Sequence, residues 1–387
     1  MLSRHQAAAI NPMKLSCAVF LVAAVYTLVP GVSPAAPADA AKAAKSLPTV
    51  LVIATGGTIA GVQDDPDDPT KYRSGSLSGE QIVASVPGLE RYARVESLQF
   101  SNVPSSLITP SMWIALSQQI EKLLNERDDL AGVVVTHGTD RLEETAFFLY
   151  LTVHSDKPVV VVGSQRPATG ISPDGPQNLL DAVRTVVSPQ AVGKGALVVM
   201  DGRILSARDV RKIYQRVGGF SVGDMGMLGV VAHDDVEFFY APTRPHGSSS
   251  EFDLSDVQVL PEVDLRFSYP GGSGAQYANA PAGVVVASTW FTCAETAAYL
   301  QLAQAGTIVV SAFPSGDNVD RNRPPENSVP ADEIERCDSV DPKMWEGRWL
   351  PPISALHLTP QKARILLMLA LTRSQDDSEI RRIFKQY

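Results

Sequence analysis

Two short hydroxyl-bearing stretches carry the residue types that acyl-transfer chemistry needs. "TGGT" (Thr55–Thr58) closes the apolar, β-branched run "TVLVIA", and "THGTDRLEET" (Thr136–Thr145) closes the run "GVVV". A third polar stretch, "GSQRP" (Gly163–Pro167), follows "KPVVVV". A hydroxyl nucleophile needs a base to take its proton and donors to hold the oxyanion that forms. Glycines beside it let backbone N–H groups approach a substrate closely. From spacing alone, "TGGT" is equally a glycine turn feeding a loop. Asp140 and Glu143 stand in D-x-x-E spacing ahead of "LEETAFFLYLTV", read as an amphipathic helix, so Asp140 is a candidate helix N-cap. A cap accepts backbone N–H bonds and stays ionised, which also suits a carboxylate that binds an ammonium group. His137 has the chemistry of a base, but a lone histidine at a strand end is more often structural, and it is read that way.

Strands must hold these stretches at one edge. "TVLVIA", "GVVVTH", "KPVVVVG", "KGALVVM", "AGVVVAS" and "GTIVVSA" are apolar nearly throughout and bounded by Gly or polar residues. Continuous apolar runs suit parallel strands covered on both faces. Between them lie helical stretches. "ITPSMWIALSQQIEKLL" offers Thr109 as N-cap with Pro110 in the first turn, and "HLTPQKARILLMLALT" repeats the Thr-Pro start. "SLSGEQIVASV" has Ser78 and Gln81 in capping-box spacing. The alternation predicts an α/β fold, with sites at the carboxyl ends of the strands. Residues 241–264, rich in Pro, Ser, Gly and Asp, read as a linker. The expected plan is a signal peptide and linker over 1–46 and a larger domain over 47–240, its mostly parallel sheet flanked by helices. After the linker comes a smaller α/β C-terminal domain over 265–387. The Pro-rich, charged region from Pro314 to Pro352 reads as a long surface loop.

The length of 387 residues suits two domains, and 44% hydrophobic with 19% charged residues suits a packed globular chain. A net charge of −9 argues against a nucleic-acid or anionic-membrane binder. Near the N-terminus, Lys14 precedes an apolar core from Leu15 to Val29, then Pro30 and a Pro/Ala-rich tail. This is the layout of a secretory signal peptide, with Met13 as an alternative start and cleavage after Ala36 or near Ala40. Its core is too short to span a bilayer comfortably, so no membrane association is expected after cleavage. The mature part keeps 29 basic and 41 acidic residues, a net of −12. Cys17 leaves with the signal, and Cys293 and Cys337 remain either as one disulfide or as two free thiols. There is no C-x-x-C pair, zinc-spaced His/Cys cluster, P-loop, G-x-S-x-G elbow or nucleotide fingerprint. Neither a metal nor a cofactor is expected.

"ATGGTIAG" together with "VVVTHGTDRLEETAFFL" resembles the bacterial type II L-asparaginase and glutaminase-asparaginase family. "DKPVVVVGSQRP", "SPDGPQNLLDAV", "GALVVMDGRILSARDVRK", "SEFD" and "LTPQKARILLMLALT" match in the same order, from about Leu47 to the C-terminus. The resemblance implies hydrolysis of the side-chain amide of L-asparagine, and of L-glutamine as an open alternative. Thr58 would be the nucleophile, assisted by Tyr72 in "DPTKYRSG". Thr139, Asp140 and Lys212 would form a second cluster, in which Asp140 also grips the substrate's α-ammonium. Ser105 would bind the substrate carboxylate, and backbone groups at Gly57 and Ser164 would line the amide pocket. Ser106 falls at a second substrate-binding position. The family also implies a homotetramer built as a dimer of dimers.

The chain departs from the family's pattern in places. Ser106 stands where the family usually has Gln or Glu. "STWFTCAE" puts bulky Trp290 and Phe291 where the family has a Gly-rich turn reaching a neighbouring subunit. The acid that partners the tyrosine has no single match among Asp317, Asp320 and Glu326. Ser155 stands at a position of the family's usual disulfide. Two hypotheses follow: an active amidohydrolase with an altered cross-subunit pocket, or a catalytically weak or vestigial periplasmic amino-acid-binding protein of the same fold. Ammonia release separates them.

Overall fold

The computed structural model describes residues 47–65, 68, 71–233, 235–274, 276–288, 290–316 and 352–387. The expected signal peptide, Cys337, the acids Asp317, Asp320 and Glu326, and most of the expected loop from Pro314 to Pro352 lie outside the described residues.

From Thr49 the chain runs β1 (Thr49–Gly56), the hairpin β2 (Val62–Gln63) and β3 (Tyr72–Arg73), α1 (Gly79–Ala84), β4 (Arg94–Val103) and α2 (Pro110–Glu126). Next come β5 (Leu130–Thr136), α3 (Leu142–Thr152), β6 (Val159–Val162), α4 (Gly175–Val187), β7 (Ala196–Met200) and β8 (Arg203–Ser206). The hairpin β9 (Arg211–Lys212) and β10 (Phe220–Ser221), then β11 (Gly229–Val231) and β12 (Val236–Phe238), follow. The last part holds β13 (Val263–Phe267), β14 (Gly283–Ala287), α5 (Cys293–Gln304), β15 (Ile308–Ala312), β16 (Ile353–Ser354), α6 (Pro360–Leu371) and α7 (Asp377–Gln386).

The large sheet has the order β12-β11-β8-β7-β6-β5-β1-β4. β7, β6, β5, β1 and β4 are parallel, and β8, β11 and β12 extend that sheet with antiparallel pairings. The smaller sheet, β13-β14-β15-β16, is all parallel. Each of the six apolar runs forms a strand, and β1, β6, β7, β14 and β15 are buried along their whole length. β4 was not among those runs. Its sequence "RVESLQFSNV" mixes polar and apolar residues, because an edge strand keeps one flank at the surface.

The expected caps form. Ser78 and Gln81 make a capping box, and the Thr109 and Thr359 hydroxyls accept the backbone N–H groups of Met112 and Lys362. α3 differs from its expected amphipathic character: every residue except Glu143 is buried. It is covered by β7 and by α6, and α6 also packs on β13, β14 and β15. α6 thus ties the smaller sheet to the back of the helix that follows the Thr139 loop. Cys293 opens α5 and is disulfide-bonded.

Candidate active site

The carboxyl ends of β4, β1, β5 and β6, adjacent in the sheet, converge through glycines. Thr55 Oγ1 donates to the Thr136 carbonyl at 2.8 Å, tying the end of β1 to the end of β5. Beyond it, Gly57 has φ +85°, and a Cβ there would lie 2.3 Å from the backbone of Gly138. A Cβ on Gly138 would in turn lie 2.8 Å from Ser105 Oγ, and one on Gly163 would lie 3.1 Å from Thr139 Cγ2. Side chains at these positions would force the loops apart; glycine lets them meet backbone to backbone.

Thr58 follows as the first residue of a short 3₁₀ turn, Thr58–Ala60, and is buried. Its Oγ1 lies 2.9 Å from the Tyr72 hydroxyl. The Tyr72 hairpin is clamped on both sides. Gly75 N–H donates to Gly57 O at 3.1 Å and Leu77 N–H to Ala60 O at 2.9 Å. The β6 loop holds the other strand, with Gln63 N–H on Thr169 Oγ1 at 2.8 Å and Ala168 N–H on Gly61 O at 2.9 Å. Gly61 lacks a side chain where a Cβ would lie 2.8 Å from the Tyr72 ring.

Thr139, Asp140 and Lys212 form a second group. Lys212 Nζ donates to Thr139 Oγ1 at 2.8 Å and to Asp140 Oδ1 at 2.5 Å. Thr139 and Lys212 are largely buried, whereas the Asp140 side chain is 61% exposed. An exposed carboxylate beside a buried lysine leaves room for a cationic group on its open side. The expectation that Asp140 caps α3 is corrected. The helix opens at Leu142 with Arg141 at its N-cap, and no side chain caps it. Asp140 turns to Lys212 instead, and Glu143 Oε2 accepts the backbone N–H of Lys212. The D-x-x-E spacing is read as a cap, yet both of its carboxylates bond Lys212 instead. Glu143, which the spacing points to only as a capping residue, is the neighbour of this group that the sequence does not reveal.

Among the described residues, the Thr58–Tyr72 pair and the Thr139–Asp140–Lys212 group share no direct hydrogen bond. They are joined by the Gly57–Gly138 contact. Ser105 is buried against Gly138, and Ser106 on the same turn is exposed. Ser164 is fully buried, with its Oγ donating to Arg166 O at 2.7 Å. Its loop is held by Asp174, which accepts Gln165 N–H and Arg166 N–H, each at 2.9 Å. Gly57 is engaged through both of its backbone polar groups. Its N–H donates to Val103 O at 3.1 Å, and its carbonyl already accepts from Gly75 and Ala60. The absence of a side chain there admits the Gly138 backbone. Trp290, in the altered turn before α5, is exposed, and Phe291 packs on Tyr299 at 5.3 Å between ring centroids.

His137 is fully buried and structural. Trp113 Nε1 donates to Thr145 Oγ1 at 2.8 Å, and Thr145 Oγ1 lies 2.9 Å from His137 Nε2. An indole N–H can only donate, so the Thr145 proton points to Nε2, and Nδ1–H donates to Gly138 O at 2.7 Å. Burial pulls the His137 pKa down to about 4, so the ring is neutral and braces the Thr139 loop. Two hydroxyls, each bonded to a second proton-carrying group, beside an open carboxylate fit a two-step acyl transfer on a substrate with an ammonium group.

A family model for "Asparaginase, N-terminal" matches residues 49–244. The chain is 38% identical over 342 residues to "L-asparaginase 2" of Bacillus subtilis (strain 168), spanning 88% of this chain and 87% of that protein. It is 37% identical over 350 residues to "Glutaminase-asparaginase" of Pseudomonas aeruginosa, spanning 88% and 91%. A crystal structure of a probable cytoplasmic L-asparaginase from Campylobacter jejuni superimposes with a TM-score of 0.78 at 37% identity, covering 89% of this chain and all of the other.

Proposed function

Since this chain belongs to the asparaginase family, we propose that it hydrolyses the side-chain amide of L-asparagine to L-aspartate and ammonia with Thr58 as nucleophile. One observation carries this reading. The Thr58–Tyr72 pair and the Thr139–Asp140–Lys212 group, from distant parts of the chain, abut through the glycine contact at one sheet edge.

In the first step, Thr58 Oγ1 bonds to the amide carbon. Its proton passes to Tyr72 and onward to the leaving nitrogen, the C–N bond breaks and ammonia departs. In this reading the backbone N–H of Thr58, the first residue of its turn, donates to the oxyanion. In the second step, water adds to the acyl carbon beside Thr139, the C–O bond to Thr58 breaks, and the hydroxyl regains its proton. Lys212 holds the Thr139 hydroxyl through both steps. The open side of Asp140 takes the substrate's α-ammonium, and Ser105 takes its carboxylate. L-glutamine is longer by one methylene, a difference worth about 1–3 kcal/mol in a pocket. It is proposed as a second substrate of the same site.

The exposed Met225, Phe239 and Tyr240 suit burial against a second copy of the chain, and the proposed assembly is a homotetramer. The segment from Lys14 to Ala36 supports export to the periplasm or beyond. Purified protein is expected to release ammonia from L-asparagine, and Thr58→Ala to abolish that release. Amino-acid binding by the wild type with no ammonia release would replace this reading with that of a binding protein. Side-by-side rates on the two amides set the preference, and light scattering sets the assembly.

A further inference from the structure

Lys362 lies in the first turn of α6 and is 1% exposed. Its ammonium donates to three backbone carbonyls: Ala207 at 3.0 Å, Arg208 at 2.8 Å and Val210 at 2.5 Å. Three protons meet three acceptors, so the buried charge is fully hydrogen-bonded. All three carbonyls belong to the turn between β8 and β9, and Lys212 lies two residues beyond the last of them. Without the ammonium, three convergent carbonyls would be buried and unmatched. An apolar side chain at this position would therefore open the turn.

The turn is gripped from other directions as well. Arg208 Nε donates to the backbone oxygen of Tyr387 at 2.5 Å, and Arg208 Nη1 to Asp209 at 2.7 Å. Glu143 of α3 accepts the Lys212 N–H. The strand that carries Lys212 is thus held between a cation from α6 and an anion from α3. The Lys362 ammonium also lies 5.7 Å from the centroid of the Phe147 ring of α3. Burial lowers the Lys362 pKa to about 8, with Glu143 and Asp209 favouring the charged form.

We propose that Lys362 is a positioning residue for Lys212: by gathering the carbonyls of residues 207, 208 and 210, it sets where the Lys212 ammonium meets Thr139 and Asp140. The helix on the smaller sheet would thereby control the geometry of a site built on the larger one. This rests on the assignment of Lys212 to the amide-hydrolysis site.

The test uses the full-length protein with Lys362→Met and a packing control, Leu367→Ala. Leu367 is fully buried on the same helix, but it faces the smaller sheet at Gly283. With L-asparagine, Lys362→Met is expected to lower kcat by about 10- to 100-fold while KM moves less than about threefold, as for a catalytic group misplaced by about 1 Å. Leu367→Ala, though destabilised, is expected to keep kcat per folded molecule within about twofold of wild type. In a crystal structure of Lys362→Met, Lys212 Nζ is expected beyond hydrogen-bond reach of Thr139 Oγ1. Equal kcat losses in the two variants, or an unmoved Lys212 in that structure, would overturn the proposal. If Lys362→Met does not fold, Lys362→Arg is measured in its place. It keeps the charge but enlarges the head group, and the same kcat fall and displacement are expected, with an unchanged kcat and Lys212 position counting against. A wild type that releases no ammonia would remove the function reading alone, because the Lys212 displacement is read without turnover.

Discussion

The Thr58 turn and the Lys212 strand are built by different means. Thr58 sits on a turn built by bare glycines: Gly57 lets it lie against the Gly138 backbone, and Gly61 leaves room for the Tyr72 ring whose hydroxyl meets Thr58. Lys212 is held by charges from far away, with Asp140 on one side of the sequence and Lys362 on the other. A turn built by glycines depends on shape, so the added volume of a side chain breaks it. A strand built by charges depends on matched donors and acceptors, so losing one partner leaves the others buried without theirs. The proposed nucleophile is therefore predicted to be intolerant of steric change, and the proposed second cluster of electrostatic change.

Replacing the chemistry itself has the largest expected effect. Thr58→Ala is expected to lower kcat by about 10⁴-fold or more with the fold intact, measured as ammonia release beside a melting curve. Lys212→Met is expected to cost about 10³-fold, within the span of acid–base contributions. If the losses come in the reverse order, the roles of the two regions are exchanged. Gly57→Ala sharpens the steric side. Its Cβ meets the Gly138 backbone at 2.3 Å, so a stability loss of about 3 kcal/mol is expected by denaturant titration. Tyr72→Phe keeps the ring that fits over Gly61 and removes only the hydroxyl. A kcat loss of about 10²-fold with an unchanged melting temperature is expected.

The smallest effect concerns the brace beneath the Thr139 loop. His137 has a folded pKa of about 4 against an ordinary 6.5. Between those values the unfolded chain takes up a proton that the folded one does not. Stability from this group is therefore complete above pH 6.5 and falls as pH drops toward 4. Acidification from pH 7 to pH 5 is expected to remove about 2 kcal/mol through this residue. Comparing the pH dependence of unfolding with that of His137→Gln isolates it, and parallel curves for the two proteins would refute it.

Much of this was legible in the sequence because the relevant signals were local. Val50–Ala54 and Val159–Val162 are apolar throughout because parallel strands are covered on both faces. Thr109, Ser78 and Thr359 announced their helices because a cap needs only its own first turn. β4 escaped because an edge strand mixes polar and apolar residues, and α3 read as amphipathic because nothing local reveals that α6 covers its second face. The D-x-x-E spacing pointed to capping at Asp140, yet its partner lies 72 residues away.

The sequence by itself determined the α/β class, the strands that end at the site, and the hydroxyls and glycines of Thr55–Thr58 and Thr136–Thr139. Those features follow from side-chain type and short-range period. Only the tertiary structure decided that Gly57 meets Gly138, that Asp140 binds Lys212 rather than capping a helix, and that Lys362 enters the turn before Lys212. Each of these depends on which loops the sheet order makes neighbours. Buried charges and bare glycines acquire their meaning only from the backbone they are pressed against.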